Sequence, residues 1–346
     1  MIPYFLLILI TTIWIYVEKK SVNRNSFFVP LFLLSGFAGI RSYQVGTDSR
    51  TYVRNFLNNI NAEYFIFDKN IELGYQVLEF LLLSLKVEYF VLFFVTALLI
   101  VFSYLIIIKK YSVNYGFSIF LFITLGTYTF FFNGLRQGMA MAFLTLATPY
   151  LLEKKLLPFL FISFFASLFH LTALFLIPFY FLLHLHIKSI YKVIIAFLSS
   201  LFFGEILVLV FSASNDRYES YSEVSESSGG VLTFFFYLIL SILLFILNKF
   251  YNIRDEYYNK IYLFYCLGVF FMLPIMMLSL NPSGPQRLLN YFTWVLVLLI
   301  PFALKKINNI YITLISIILS VIYFSLTTYR FSNLTPYIIN PIFEIF

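Results

Sequence analysis

The chain has 346 residues, of which 61% are hydrophobic and 11% are charged, and its mean hydropathy is +0.91. A soluble domain is only about 45–50% apolar, so this composition excludes a soluble fold and predicts a polytopic membrane protein. The net charge of +7 comes from short basic doublets between apolar runs, which is typical of cytoplasmic membrane loops and not of a nucleic-acid-binding surface. The single cysteine, Cys266, excludes an intrachain disulfide.

Apolar runs that are long enough to cross, or nearly cross, a bilayer recur along the chain and predict an all-α fold with about twelve transmembrane helices. We predict the spans at 3–17, 27–40, 89–108, 115–132, 135–152, 156–169, 171–184, 190–211, 231–248, 260–280, 288–304 and 309–328. The first run has no basic residue before it and no small-residue cleavage site after it, so we interpret it as a retained span. With no internal repeat and no long hydrophilic region, residues 1–346 are predicted to form a single integral membrane domain.

Segment 72–86 has a different pattern from the predicted spans. Glu72, Gln76 and Glu79 recur at helical spacing beside apolar residues. This pattern favours an amphipathic helix at the membrane interface over a further span.

The basic doublets predict the orientation of the chain, because lysine and arginine concentrate in cytoplasmic loops. The doublets and clusters assigned to the cytoplasm are Lys19-Lys20-Arg24, Lys109-Lys110, Lys154-Lys155, Lys188 with Lys192, Lys249 with Arg254 and Lys260, and Lys305-Lys306. If 72–86 does not cross the membrane, all of these basic clusters fall on the cytoplasmic side and the loops between them fall outside. The predicted outer segments are then 41–88, the turn at 133–136, the turn at His170, 212–230, 281–287 and the tail from Tyr329, and both termini lie outside.

Arginine dominates the outer segments: seven of their nine basic residues are arginine, whereas the inner ones are mostly lysine. A guanidinium binds carboxylates and phosphates through two parallel hydrogen bonds, and at membrane depth it needs an anion or water. This distribution predicts a site for a phosphorylated, lipid-linked substrate on the outer face. Alternatively, these arginines anchor helices by snorkelling.

The first outer segment contains a compact polar motif from Gly46 to Arg54. Asp48 is placed to N-cap a short helix on which Arg50 and Arg54 share one face. The functional interpretation is a carboxylate next to two phosphate-binding side chains. The structural alternative is a surface helix with local ion pairs.

A second polar group interrupts the apolar runs at Asn133, Arg136 and Gln137. We expect these three side chains to share a helical face that small neighbouring residues leave accessible. The alternative is a structural arginine bound to helix-end carbonyl groups.

Arg287, Asn290 and Tyr291 repeat the same spacing after a turn rich in proline and glycine. A helix that begins there would present N–H groups and an arginine to an anion. Helix capping is the structural alternative.

His170 lies within an apolar run at a predicted outer turn. Its titration range suits a general base, although a lone histidine in such a run is commonly a packing residue. No metal-binding or nucleotide-phosphate motif occurs, so we expect neither a metal nor another cofactor.

Together these residues resemble the EpsG-like branch of the Wzy-type polymerases, which join repeat units of bacterial O-antigen, capsule or exopolysaccharide. The resemblance covers about residues 40–300, and its order and outer placement carry more weight than any one motif. The matching elements are Gly46-x-Asp48-x-x-x-Tyr52, Glu72-x-Gly74-Tyr75, Asn133-x-x-Arg136-Gln137, His170-x-x-Ala173 with Pro178, and Arg287-x-x-x-Tyr291.

The resemblance implies a GT-C-like membrane glycosyltransferase in the bacterial inner membrane whose active site faces outward. It would move the growing glycan from undecaprenyl diphosphate to the non-reducing end of an incoming undecaprenyl-diphosphate-linked repeat, without a metal. A flippase that delivers the repeats and a chain-length regulator are implied partners, and nucleic acid is not.

The reaction that the resemblance implies assigns an expected role to each of the polar residues described above. Arg136 and Arg287 are expected at the diphosphate, with Arg41 and Arg50 supporting them or the second carrier. The base is expected to be His170 first, Asp48 second and Glu72 third. The expected glycan contacts are Tyr52, Tyr75, Asn133, Gln137 and Tyr291.

Three other functions fit a membrane protein of this kind. A lipid-linked oligosaccharide flippase suits about twelve spans, but transporters commonly show repeat symmetry and polar residues near the bilayer midplane. Here the polar residues gather at one face, which favours an enzyme. A lipid-linked glycan ligase uses the same donor and differs only in its acceptor, and a membrane acyltransferase is a further alternative.

Overall fold

The structure, a computed structural model, describes residues 1–59, 65–214, 229–277 and 284–343. Over these ranges the chain forms helices and no strands, and a single antiparallel bridge joins Arg41 to Ile339. The α-helices are α1 Ile2–Val22, α2 Phe28–Gly39, α3 Ser49–Asn58, α4 Leu73–Ser84, α5 Tyr89–Tyr111, α6 Tyr115–Thr124, α7 Thr127–Asn133, α8 Leu135–Leu146, α9 Thr148–Leu152, α10 Leu156–Ser167, α11 Ile177–His184, α12 Ser189–Ser214, α13 Gly229–Phe250, α14 Glu256–Met277, α15 Asn290–Thr293, α16 Leu296–Ile307 and α17 Ile310–Leu326. Short 3₁₀ helices cover Leu171–Leu176, Pro285–Leu289 and Pro341–Phe343, and a π-helical turn covers Thr327–Phe331.

The all-α prediction is confirmed, and each predicted apolar run contains helix within the described residues. Six helices there are long and apolar enough to cross a membrane, and a bent pair, Gln286–Thr293 with Leu296–Ile307, would make a seventh. The six are Ile2–Val22, Tyr89–Tyr111, Tyr115–Asn133, Val231–Phe250, Glu256–Met277 and Ile310–Arg330. Several other apolar runs form helices that are too short to count as membrane spans by length. Twelve spans and a GT-C-like fold therefore stay predictions.

The chain divides into two compact units. The first comprises Met1–Pro149, Leu157–Leu174 and Asn309–Phe346, and the second comprises Tyr150–Leu156 and Phe175–Asn308. In the first unit, α5 packs against both α2 and α8. A Cβ atom on Gly39 would lie 2.8 Å from Cβ of Phe94, so the missing side chain allows α2 to approach α5 closely.

In the second unit, α14 packs against α11, α12, α13 and α16. Gly268 at the centre of α14 has no room for a side chain, since a Cβ atom there would lie 1.9 Å from Cγ of Phe292. The rings of Phe179 and Phe271 complete this aromatic core, with centroids 5.3 Å apart. The absence of a side chain at Gly268 therefore allows α14 and α15 to pack directly.

Some long apolar helices expose most of their surface. Only 28% of the apolar window of α1 and 11% of that of α17 is buried within the protein. Apolar side chains such as Leu9, Ile315 and Leu319 are more than half exposed. Lipid chains would cover these surfaces, as expected for a multi-pass membrane protein.

Candidate active site

The helical path breaks at the turn that precedes Arg136. α7 ends at Asn133, Gly134 has φ −115° and ψ 59°, and α8 begins at Leu135. Asn133 and Arg136 therefore belong to different helices, and the prediction that they share one helical face with Gln137 is wrong. The break instead places Arg136 in the first turn of α8, where the helix dipole favours a negatively charged partner.

Arg136 has such a partner in Glu72. Nη1 of Arg136 forms an ion pair with Oε2 of Glu72, and each of the two side chains is 14% exposed. The guanidinium also lies 5.9 Å from the centre of the Tyr75 ring. The positive charge of Arg136, which lies between two apolar runs, is thus neutralised by a carboxylate 64 residues earlier in the chain.

The helix that carries Glu72 turns its polar face inward. The predicted helix at 72–86 is present as α4, but Gln76 and Glu79 on its polar face are buried at 4% and 2% exposure. Leu73 and Leu81 on its apolar face are more than half exposed. The helix therefore presents its polar face to Arg136 and its apolar face outward, which is the opposite of an amphipathic helix whose polar face meets water.

Glu79 is a residue that sequence reasoning did not assign to the site. Its Oε1 atom is buried and completes no hydrogen bond within the described residues. Burial raises the pKa of Glu79 to about 7, against smaller lowering effects from the Tyr75 hydroxyl group and the charge of Arg136. The helical spacing of Glu72 and Glu79 was the available signal, but only packing distinguishes an inward from an outward polar face.

The turn at His170 packs directly on the start of α4. The backbone N–H of Gly74 donates to the carbonyl of Leu168 at 2.7 Å, and a Cβ on Gly74 would lie 2.8 Å from that oxygen. Oε1 of Glu72 accepts the N–H of Leu171 at 3.4 Å. His170 itself is half-buried, and its Nδ1 lies 2.6 Å from Oγ1 of Thr172. The structure therefore brings Glu72, Arg136 and the His170 turn together.

The first loop that is predicted to lie outside contains the short helix that its sequence indicates. Asp48 occupies the N-cap position of α3, although its side chain makes no capping hydrogen bond. Arg50 and Arg54 are exposed, and the Arg50 guanidinium lies 5.9 Å from the centre of the Tyr43 ring. Tyr52 is buried, and its ring centre lies 5.9 Å from that of Tyr75 on α4.

Asn133 connects this loop to the end of the chain. Its Oδ1 accepts the N–H of Thr47 at 2.7 Å, and its Nδ2 donates to the carbonyl of Ser332 at 2.8 Å. Gly46 has φ +104°, and a Cβ there would lie 2.6 Å from the same Oδ1 atom. The Asn133 side chain is thus engaged by backbone groups in this structure, and glycan contact by Asn133 stays a prediction.

The C-terminal tail lies alongside the first outer loop. The N–H of Ser42 donates to Ile338 and that of Asn340 donates to Ile40, both at 2.8 Å. The Tyr337 ring stacks on Phe37 with centroids 4.2 Å apart. The tail, the first loop and the Asn133 turn therefore meet at one end of the first unit, and their location on the outer side of the membrane stays a prediction.

Arg41 is fully buried in this structure. Its guanidinium lies between the rings of Phe93 and Phe132, 3.9 and 4.4 Å from their centres, and Nη1 donates to the carbonyl of Ala38. Nε and Nη2 make no hydrogen bond to described residues, and burial lowers the pKa of the group to about 10. Diphosphate binding by Arg41 stays a prediction, and it requires that an anion reach this enclosed position.

Arg287 belongs to the second unit and lies in the 3₁₀ helix Pro285–Leu289. Its carbonyl accepts Nδ2 of Asn290 at 3.1 Å, and Tyr291 is buried at 1% exposure. This segment is not the long helix that the anion-site hypothesis assumed. The preceding residues 278–283 lie outside the described residues, as does most of the predicted outer loop 212–230. A shared pocket for Arg136 and Arg287 stays a prediction.

The first three sequence motifs and the His170–Ala173 part of the fourth form one connected group in the first unit. Thr47 joins the first motif to Asn133, and the Glu72–Arg136 pair joins the second motif to the third. The hydrogen bond between Gly74 and Leu168 joins the second motif to the His170 turn. Gln137 is buried at 3% exposure within this region. These contacts place the Arg136 guanidinium and the Glu72 carboxylate beside the turn that carries His170.

Comparison with known protein families gives a match over most of the chain. The family model described as "EpsG family" matches residues 24–339, which is most of the chain. No curated protein and no solved structure matches. The family match includes every motif described above, and the chain therefore belongs to the EpsG family.

Proposed function

We propose that this protein polymerises lipid-linked oligosaccharide repeats on the outer face of the bacterial inner membrane. Family membership and the apolar helices indicate a polysaccharide-polymerase-like, multi-pass membrane protein. In the proposed reaction, the growing glycan leaves undecaprenyl diphosphate and joins the non-reducing end of an incoming lipid-linked repeat. O-antigen, capsule and exopolysaccharide repeats all have the chemistry that this proposal requires.

The observation that carries the proposal is the position of Arg136. A guanidinium with 14% exposure lies in the first turn of α8 and already holds an anionic group. When a glycosyl diphosphate reacts, negative charge develops on the departing oxygens while the sugar gains oxocarbenium character. A preorganised guanidinium and helix N-terminus stabilise that charge.

The acceptor hydroxyl group needs a base within hydrogen-bonding reach. Two of the three candidates, His170 and Glu72, lie in the same group of contacts as Arg136. The third, Asp48, lies on the loop that docks onto Asn133, where its Oδ1 accepts the Thr47 hydroxyl group at 3.1 Å. The grouping favours His170 and Glu72 over Asp48.

The remaining arginines are proposed to serve the carriers. Arg50 is exposed on the first outer loop and is available to the second lipid diphosphate. Arg287 is proposed to share the donor diphosphate with Arg136. Because arginines supply the positive charge, the reaction is proposed to proceed without a metal ion.

Reconstitution tests this function directly. Purified protein in liposomes is supplied with purified undecaprenyl-diphosphate-linked repeats, with and without a chelator, and products are resolved by gel electrophoresis. The proposal predicts a ladder of long glycans that persists when the chelator is present. Translocation of repeats without a ladder would establish the flippase alternative, and transfer to a different acceptor would establish the ligase. A ladder that disappears on chelation would overturn the metal-independent step alone.

A further inference from the structure

We propose that Glu72 and the diphosphate of the donor compete for the Arg136 guanidinium and that the donor displaces Glu72 when it binds. Its carboxylate, released from the guanidinium, then accepts the proton of the acceptor hydroxyl group. The base would thus become available only after the donor has bound. The inference rests on the proposed function and specifies how the same site is regulated.

One edge of the Arg136 guanidinium can bind either of two anions, the Glu72 carboxylate or the diphosphate. Nη1 of Arg136 is engaged by Oε2 of Glu72, and the pair lies where the dipole of α8 is most positive. A diphosphate approaching this position meets the same N–H donors. It carries more charge and more acceptor oxygens than a carboxylate, so it competes effectively for the guanidinium.

Glu72 keeps its position after the diphosphate has displaced it from Arg136. Its backbone carbonyl accepts the N–H of Gln76, and the adjacent Gly74 is bonded to Leu168 at 2.7 Å. Its Oε1 still faces the N–H of Leu171. The displaced carboxylate therefore stays beside the His170 turn and does not swing into solvent.

The displacement of Glu72 also governs proton transfer. While Oε2 accepts the guanidinium N–H, that lone pair is not available to a substrate proton. Once the diphosphate holds Arg136, the acceptor oxygen attacks the anomeric carbon and its proton passes to Oε2 of Glu72. The bond between the anomeric carbon and the phosphate oxygen breaks, and the diphosphate leaves with the electron pair, stabilised by Arg136. The protonated Glu72 later returns its proton to water, and atoms and charge balance.

A comparison of Glu72→Gln with Glu88→Gln tests the inference. Both glutamates are N-cap residues with extended backbone that make no side-chain capping hydrogen bond, but Glu88 is exposed and N-caps α5. The full-length protein in detergent is titrated with inorganic diphosphate by calorimetry, and chain extension is measured in liposomes.

For Glu72→Gln, we expect inorganic diphosphate to bind about tenfold more tightly, because the competing carboxylate is gone. We expect chain extension to fall by about 100-fold or more, because the base is gone. Glu88→Gln should match the wild type in both measurements. A merely structural Glu72 would weaken binding and turnover together.

Unchanged or weaker diphosphate binding by Glu72→Gln would overturn the inference. If that variant does not fold, Glu72→Asp serves instead: its shorter carboxylate should pair less well with Arg136, tighten diphosphate binding and retain part of the turnover. If the wild type forms ladders but Glu72→Gln does not bind diphosphate more tightly, the inference is wrong while the proposed function stands. If the wild-type protein forms no glycan ladder in liposomes, the proposed function itself is wrong.

Discussion

Arg136 and Glu72 lie 64 residues apart in the chain and form an ion pair in which each side chain is 14% exposed. Their contact joins the turn before α8 to the start of α4, and through Leu171 it reaches the His170 turn. Removing one partner of such a pair leaves an uncompensated charge, so we expect both residues to contribute to stability as well as to the proposed chemistry.

The first prediction concerns the guanidinium of Arg136. Arg136→Ala should reduce chain extension by about 100-fold to 1,000-fold, since it removes a donor at the site of developing charge. Arg136→Lys should not restore full activity, because a compact ammonium cannot reproduce two parallel hydrogen bonds. Glycan ladders from reconstituted protein provide the measurement. Arg254→Ala, which removes an exposed arginine from a predicted cytoplasmic loop, is the control and should retain activity.

The second prediction concerns the docking of the first outer loop. Gly46 has φ +104° and lies against Asn133, so Gly46→Ala should reduce the free energy of unfolding by about 1–3 kcal/mol and impair chain extension. Gly36→Ala is the matched control, because a Cβ at Gly36 meets nothing within 4 Å. Thermal unfolding in detergent measures both variants. Equal melting temperatures for the two would contradict the docking argument.

The third prediction concerns pH and Glu79. Burial raises its pKa from 4.5 to about 7, so between these values the folded protein holds a proton that the unfolded chain releases. This contribution to stability is fully present below pH 4.5 and is lost as the pH rises through about 7. It corresponds to about 3 kcal/mol over that interval.

Glu79→Gln keeps a neutral side chain and should flatten this dependence. Unfolding of the wild type and the variant is compared from pH 5 to 7.5, with Glu88→Gln as the control for loss of an exposed carboxylate. The wild type and Glu88→Gln should lose stability across the interval, and Glu79→Gln should lose less. Parallel curves for all three proteins would show that Glu79 does not titrate in this range.

The fourth prediction concerns sidedness. In a Cys266→Ser background, Asp48→Cys and Arg287→Cys should react with a membrane-impermeant maleimide in intact cells. Lys306→Cys should react only after the membrane is permeabilised. The reason is the positive-inside distribution of the lysine doublets. Cytoplasmic labelling at either of the first two positions would rule out a shared outer site.

Composition and local pattern were sufficient for part of this structure. The apolar runs predicted helices where helices occur, and Asp48 predicted the start of α3 at the residue where it begins. These features depend on neighbours in the chain, namely on hydropathy over a window and on which residue types favour the position just before a helix. The motif order, which is also read directly from the chain, led to the family that residues 24–339 match.

Features that depend on distant contacts required the tertiary structure. The spacing of Glu72 and Glu79 identified a polar face on α4, but periodicity is the same whether that face meets water or Arg136. Likewise, the fully buried Arg41 and the tail beside the first loop follow from packing between segments about 300 residues apart. The sequence by itself determined the membrane class, the helices and the residues capable of phosphate chemistry. Only the folded chain decided that Arg136 is held by Glu72, because side-chain partners are selected by packing and burial.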